Sequence, residues 1–250
     1  MTSPTRRAGA PAEPPAEALP RAALLAGAGS GAITVLALRL QPLFGLGTGF
    51  PIRVGAIAAG MMLVALTGFR DHHPFARVGA ANVVTGVRAL ILALLAGVAF
   101  EPALGPLRWW IAGTAAAGAT LDLADGWLAR RSKLASAFGA RFDLEVDALL
   151  ILVLSVLVWR SGVTGSWVLM SGLMRYLFVA AAQALPWLNR ALPASRRRQA
   201  ICVVQIVALI AALAPVVPAS AAVALAGGSL ALLTWSFAAD VAWLFAARRS

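Results

Sequence analysis

Apolar residues in this chain come in long, continuous runs divided by short polar connectors rich in arginine. Such runs are too long for buried strands, and they lack the two-residue alternation of an outer-membrane barrel. Eight runs are long enough to be transmembrane helices: 22–40, 52–69, 83–103, 109–130, 140–160, 165–184, 200–217 and 221–246. Composition agrees. The chain is 60% hydrophobic and 12% charged, with a mean hydropathy of +0.83, which excludes an ordinary soluble domain. The predicted class is therefore all-α, a polytopic bundle of membrane helices.

The arginines give this bundle a direction. With the N-terminus in the cytosol, the inside segments hold Arg6, Arg7, Arg21, Arg70, Arg77, Arg130, Arg131, Lys133, Arg141, Arg190, Arg196, Arg197, Arg198, Arg248 and Arg249. The outer ends hold Arg39, Arg53, Arg108 and Arg160. That asymmetry predicts cytosolic termini. The net charge of +11 then reflects orientation and contact with anionic headgroups. A nucleic-acid partner is not expected, because no basic domain stands apart from the apolar runs. Residues 1–21 form a Pro- and Ala-rich cytosolic tail, expected to be disordered. Residues 22–70 form a helix pair without acidic residues, and 80–247 a six-span core, divided by the polar connector GFRDHHPFAR.

Against this background one cluster stands out. The chain has ten acidic residues, and five of them, Asp122, Asp125, Asp143, Glu145 and Asp147, fall within LDLADGWLARRSKLASAFGARFDLEVDALL. Asp122 and Asp125 share one helical face, as do Asp143 and Asp147. A short connector makes the two helices antiparallel and brings their cytosolic ends together. Four clustered carboxylates raise one another's pKa unless cations are present. An all-oxygen donor set suits Mg²⁺ or Mn²⁺, and four carboxylates suffice for two ions. Zinc is disfavoured without Cys or His ligands nearby. Two such ions are a recurrent device for displacement at phosphorus. Gly126 and Gly139 permit close approach of a ligand or backbone, and Arg130 is placed to bind phosphate or a carboxylate. Glu145 points off the shared face and is left out of this site.

The string Asp122-x2-Asp125-Gly126-x2-Ala129-Arg130-x8-Gly139-x3-Asp143-x3-Asp147 resembles the signature of the CDP-alcohol phosphatidyltransferases, with every fixed position filled. NVVTGVR at 82–88, carrying Asn82, Thr85 and Arg88, resembles a string found at the start of that family's first core helix. The resemblance covers about 80–247. It implies transfer of a phosphatidyl group from a CDP-alcohol, in bacteria usually CDP-diacylglycerol, to a small alcohol, with release of CMP. It implies that Asp122, Asp125 and Asp143 are metal ligands, with Asp147 beside the metals as general base. By the same likeness Asp122, Gly126, Ala129, Arg130 and Gly139 shape the CDP site. It further implies a homodimer in the cell (inner) membrane with its active site at the cytoplasmic face.

The acceptor is less constrained. A phosphorylated polyol such as glycerol 3-phosphate or inositol phosphate requires basic side chains, for which the candidates are Arg131, Lys133, Arg141, Arg175, Arg196, Arg197 and Arg198. Arg175 lies inside an apolar run, where an arginine needs a partner. That partner is either an acceptor phosphate or Asp240. An unphosphorylated acceptor (serine, choline or inositol) and a cation-coupled transporter are the alternatives. Cys202 is expected to be a small core residue, and His72 and His73 a solvated pair. Trp109, Trp110, Trp167 and Trp187 fit an interfacial belt.

Overall fold

The computed structural model describes residues 18–72, 79–132, 137–193 and 195–248, with side chains described except at 70–72, 122–132 and 137. Among the described residues it is all-helical, as its apolar periodicity predicts. The helices are α1 (Ala18–Phe44), α2 (Phe50–His72), α3 (Ala80–Val98), α4 (Arg108–Ser132), α5 (Ala137–Arg160), α6 (Met170–Ala184), α7 (Arg196–Leu213) and α8 (Ala219–Ala247). Five helical stretches are long and apolar enough to cross a membrane: Ala18–Phe44, Phe50–Phe69, Ala80–Val98, Ser166–Ala184 and Ala219–Ala247. The expectation of eight spans is met to that extent. α4, α5 and α7 carry the aspartates and the arginine triplet, and so hold more charged residues than the five qualifying stretches. Large apolar side chains such as Leu24, Leu43, Ile52 and Val64 are more than 70% exposed, as suits a surface solvated by lipid.

Several boundaries differ from the apolar runs for local reasons. Residues 18–21 belong to α1 and not to a tail, with Ala18 and Ala22 packed in a small core with Phe69 and Phe138. α1 ends where Gly45 takes φ +62° and the Leu46 amide donates back to the Gln41 carbonyl at 2.9 Å. This reversal favours glycine. α3 stops at Val98, short of 103, because the Glu101 amide turns back to the Val98 carbonyl at 2.9 Å and Pro102 follows. α7 begins at Arg196, four residues before the apolar run, and ends ahead of Pro215. α6 is entered through a 3-10 turn over Ser166–Leu169.

α3 and α5 lie at the centre. α3 packs on α1, α2, α4 and α5; α5 packs on α2, α3, α6 and α7. Their shared core includes Leu92, Leu95, Val98, Leu150, Leu154 and Leu157. α5 and α6 meet at Gly172, where an added Cβ would overlap the Leu152 backbone. α7 touches both α4 and α5. The helices carrying the two halves of the aspartate ladder therefore share α3 and α7 as neighbours.

Arginines fasten the end of the bundle remote from the ladder. Arg160 Nη1 and Nη2 donate to the carbonyls of Ala99 and Glu101 at 2.7 and 2.9 Å. Arg108 Nε and Nη2 donate to the Leu213 and Ala212 carbonyls at 3.0 and 3.2 Å. These cations meet C-terminal carbonyls, where the helix dipole favours them. Glu101, only 4% exposed, pairs with Arg53 and accepts the Gly47 amide at 2.9 Å. Three of the four arginines that the sequence places outside are thus ties between helices. Arg160 ties α5 to the end of α3, Arg108 ties α4 to the end of α7, and Arg53 ties α2 to Glu101 beyond α3.

Candidate active site

The site is built on the register between α3 and α5. Arg88 lies eight residues into α3, so it is about 12 Å along the helix. It is the one charged residue of α3 and is 3% exposed. Its Nη1 donates to Asp143 Oδ1 at 2.6 Å and its Nη2 to Asp147 Oδ1 at 2.5 Å. One guanidinium therefore spans the two carboxylates that stand one turn apart on α5. The geometry suits arginine, whose fixed fork can reach two acceptors at once. Burial strengthens both bonds and makes loss of either partner costly. Asp143 keeps 42% of its side-chain surface exposed and Asp147 19%, so both remain approachable.

Asp122 and Asp125 belong to the last three turns of α4. Counted from the helix ends, the four aspartates and Arg88 all lie about 9–15 Å in, at one end of the bundle. The side chains of Asp122, Asp125, Ala129, Arg130 and Arg131, together with Gly126, lie outside the described side chains, and Lys133 lies outside the described residues. Gly139 sits in the first turn of α5, one turn before Asp143.

On the residues present, a divalent cation fits. Asp143 and Asp147 offer hard, partly exposed oxygen donors, and Asp122 and Asp125 stand on α4 at the same end of the bundle. Oxygen-rich, anionic and partly exposed donor sets suit Mg²⁺ or Mn²⁺.

The proposed acceptor arginines resolve differently from one another. Arg175, on α6, pairs with Glu145 on α5. Of the two partners expected for Arg175, Asp240 is therefore not one that it meets, and Glu145, which the sequence leaves off the aspartate face, turns to α6 instead. The physical reason is adjacency: α6 packs on α5, while Asp240 stands near the start of α7. There Asp240 holds Arg197 and, at 3.3 Å, Arg198 Nη1. Arg197 also lies 5.3 Å from the Trp235 ring centre, a cation–π distance. Arg196 and Arg141 are exposed near the starts of α7 and α5.

Two features were not assigned to the site from sequence. Arg88 was visible as an anomaly, since an arginine inside an apolar run needs a partner. Which carboxylates it meets depends on which helix lies beside it. Gln205, two turns into α7, is wholly buried, and neither of its amide atoms has a hydrogen-bond partner. Nothing in the periodicity marks it.

Comparison with known families decides the assignment. A family profile described as CDP-alcohol phosphatidyltransferase matches residues 78–239. The chain belongs to the CDP-alcohol phosphatidyltransferase family. Neither curated proteins nor solved structures give a match. The matched region of this CDP-alcohol phosphatidyltransferase starts just ahead of α3, takes in Arg88 and both aspartate pairs, and ends one residue before Asp240. α1 and α2 lie outside it. Membership implies transfer of a phosphatidyl group from a CDP-alcohol to an alcohol acceptor within a membrane.

Proposed function

We propose that the protein transfers the phosphatidyl group of CDP-diacylglycerol to a small phosphorylated polyol, such as glycerol 3-phosphate or inositol phosphate, and releases CMP. The observation that carries this reading is the convergence of Asp143 and Asp147 on Arg88 at the same depth as the α4 aspartates. The catalytic unit is the six-helix core over 80–247, with 22–70 as an added helix pair. All eight helices cross the membrane, the termini and the ladder face the cytosol, and the protein resides in the cell (inner) membrane as a homodimer.

Asp122, Asp125, Asp143 and Asp147 would hold Mg²⁺ or Mn²⁺, two ions per site. Bound there, the ions would neutralise the phosphate oxygens and the departing CMP. The remaining work falls to the chain. Asp147 accepts the proton of the acceptor hydroxyl as its oxygen attacks, since an alcohol is a poor nucleophile until deprotonated. A new bond forms between that oxygen and the phosphorus of the phosphatidyl group. The bond from that phosphorus to the oxygen shared with CMP breaks, and CMP carries away its electron pair. Arg88 holds Asp143 and Asp147 in a fixed relation throughout. Asp122, Gly126, Ala129, Arg130 and Gly139 cradle the CDP moiety, with the glycines admitting close approach.

Arg131, Lys133, Arg141, Arg175, Arg196, Arg197 and Arg198 form the basic surroundings of the acceptor. A guanidinium has five donors, so one bound to a carboxylate retains donors for phosphate. A second reading is favoured by the pairing of Arg175 with Glu145 and of Arg197 and Arg198 with Asp240. Those cations are already neutralised, which suits an unphosphorylated acceptor such as inositol, serine or choline. The deciding experiment offers purified protein, Mg²⁺ and CDP-diacylglycerol a panel of acceptors and reads the lipid products by mass spectrometry. A product with a phosphorylated headgroup supports the first reading. Product from unphosphorylated acceptors alone overturns it in favour of the second.

A further inference from the structure

α2 closes against the first turns of α5 through aromatic rings. Phe69, near the end of α2, meets Phe138 edge-on with 5.3 Å between ring centres, and Phe138 stacks on Phe142 at 5.6 Å. Ala18 and Ala22 of α1 complete the cluster, in which Phe69 is 3% and Phe138 7% exposed. The segment held in this way is the one that presents Asp143. Phe142 directly precedes Asp143, one step of about 100° round the helix. In an α-helix the Asp143 amide takes the Gly139 carbonyl as its acceptor, and Gly139 stands in the first turn of α5. A first turn is weakly held by its own helix, because its N–H groups have no acceptors behind them. A glycine there weakens it further. Arg88 of α3 reaches Asp143 from a different face of α5. The start of α5 is therefore gripped on two faces, by α3 through a guanidinium and by α2 through Phe69.

We infer that the α1–α2 pair, which lies outside the family match, serves the reaction by fixing the start of α5, and that Phe69 is the positioning residue through which it sets Asp143. The inference rests on the proposed function, because it takes Asp143 to be a cation ligand. The Asp143 side chain is 42% exposed, so the backbone beneath it decides much of where its oxygens stand. A cation site needs its donors held close to the productive geometry by packed neighbours. Phe69 supplies that packing on the face of α5 that Arg88 does not reach.

The test uses the full chain in detergent, with Mn²⁺ binding read by electron paramagnetic resonance and hydrogen exchange read on peptides that span 138–147. Phe69→Ala removes the ring that faces Phe138. Exchange at the amides of 139–143 should accelerate about tenfold or more, as expected from loss of a buried aromatic pair. The Mn²⁺ dissociation constant should rise about fivefold or more, since residues that orient a metal ligand govern affinity. Phe69→Met keeps an apolar contact with the ring and should restore most of both. Phe69→Leu, a milder change with the same signs, serves if Phe69→Ala fails to fold. Phe50→Ala is the control for general destabilisation. Phe50 is fully buried at the other end of α2 and packs at Gly97 of α3, so this variant should lower the thermal midpoint and leave Mn²⁺ binding and α5 exchange unchanged. Unchanged Mn²⁺ affinity or unchanged exchange in Phe69→Ala, or equal losses in Phe50→Ala, overturns the inference. Wild-type protein that binds no Mn²⁺ sinks the cation site and the inference with it. Mn²⁺ binding that depends on Phe69, in a wild type that releases no CMP from CDP-diacylglycerol, sinks the proposed reaction and leaves the positioning role standing.

Discussion

Arg88 is the most informative residue to perturb. It is 3% exposed and its two terminal nitrogens meet Asp143 and Asp147 at 2.6 and 2.5 Å. Removing one partner of a buried charge pair typically costs about 3–5 kcal/mol. Here the loss is smaller on the Asp143 side, because 42% of that side chain is exposed and water screens it. Asp147, at 19%, bears more of the cost. Arg88→Met should therefore destabilise the protein by about 2–4 kcal/mol. Arg88→Lys should recover part of this, since an ammonium retains the charge but cannot reproduce the fork. The assay is thermal unfolding in detergent, combined with a double-mutant cycle. Adding Asp147→Asn to Arg88→Met removes the orphaned charge, so the double variant should be more stable than additivity predicts, by about 1 kcal/mol or more. CMP release should fall about a hundredfold in Arg88→Met through misplaced carboxylates. Strict additivity of the two substitutions in stability would refute the pairing.

Asp147→Asn alone should abolish turnover while the protein still folds, measured as CMP release alongside the thermal midpoint; full activity would remove Asp147 from the role of base. Gln205→Leu should raise stability by about 1 kcal/mol in thermal unfolding, because it replaces a buried amide that has no partner with an apolar group of similar size. Gly172→Ala should destabilise by about 1–3 kcal/mol in the same assay, since the added Cβ would overlap Leu152 and α5 and α6 would have to separate.

Much of this molecule was legible from its apolar runs, because a helix in lipid satisfies its own backbone and announces itself by length. The errors lie where side chains, and not hydropathy, set the boundary. α7 extends back to Arg196 because arginine is a good helix former and because Asp240 meets Arg197 and Arg198 there. α3 ends early because Glu101 is drawn into the Arg53 and Gly47 contacts. The aspartate ladder was legible because three- and four-residue spacings define faces within one helix. Pairings between helices were not, because spacing along one helix carries no information about its neighbour. Arg88 and Arg175 both stand in apolar runs, where an arginine needs a partner, and for Arg175 an acceptor phosphate and a carboxylate were both open. Only the packing of α3 on α5 and of α6 on α5 identifies Asp143, Asp147 and Glu145 as their partners.

The central claim is that the aspartate cluster performs cation-dependent phosphatidyl transfer. Its most direct test is CMP release from CDP-diacylglycerol by the purified protein, with an acceptor mixture, after chelation and during titration with Mg²⁺, Mn²⁺ or Zn²⁺. The account predicts no CMP without divalent ions, recovery with Mg²⁺ or Mn²⁺ but not Zn²⁺, and one phosphatidyl product for each CMP. It also predicts no recovery in Asp143→Asn. CMP release that survives chelation, or that persists in Asp143→Asn, would contradict it.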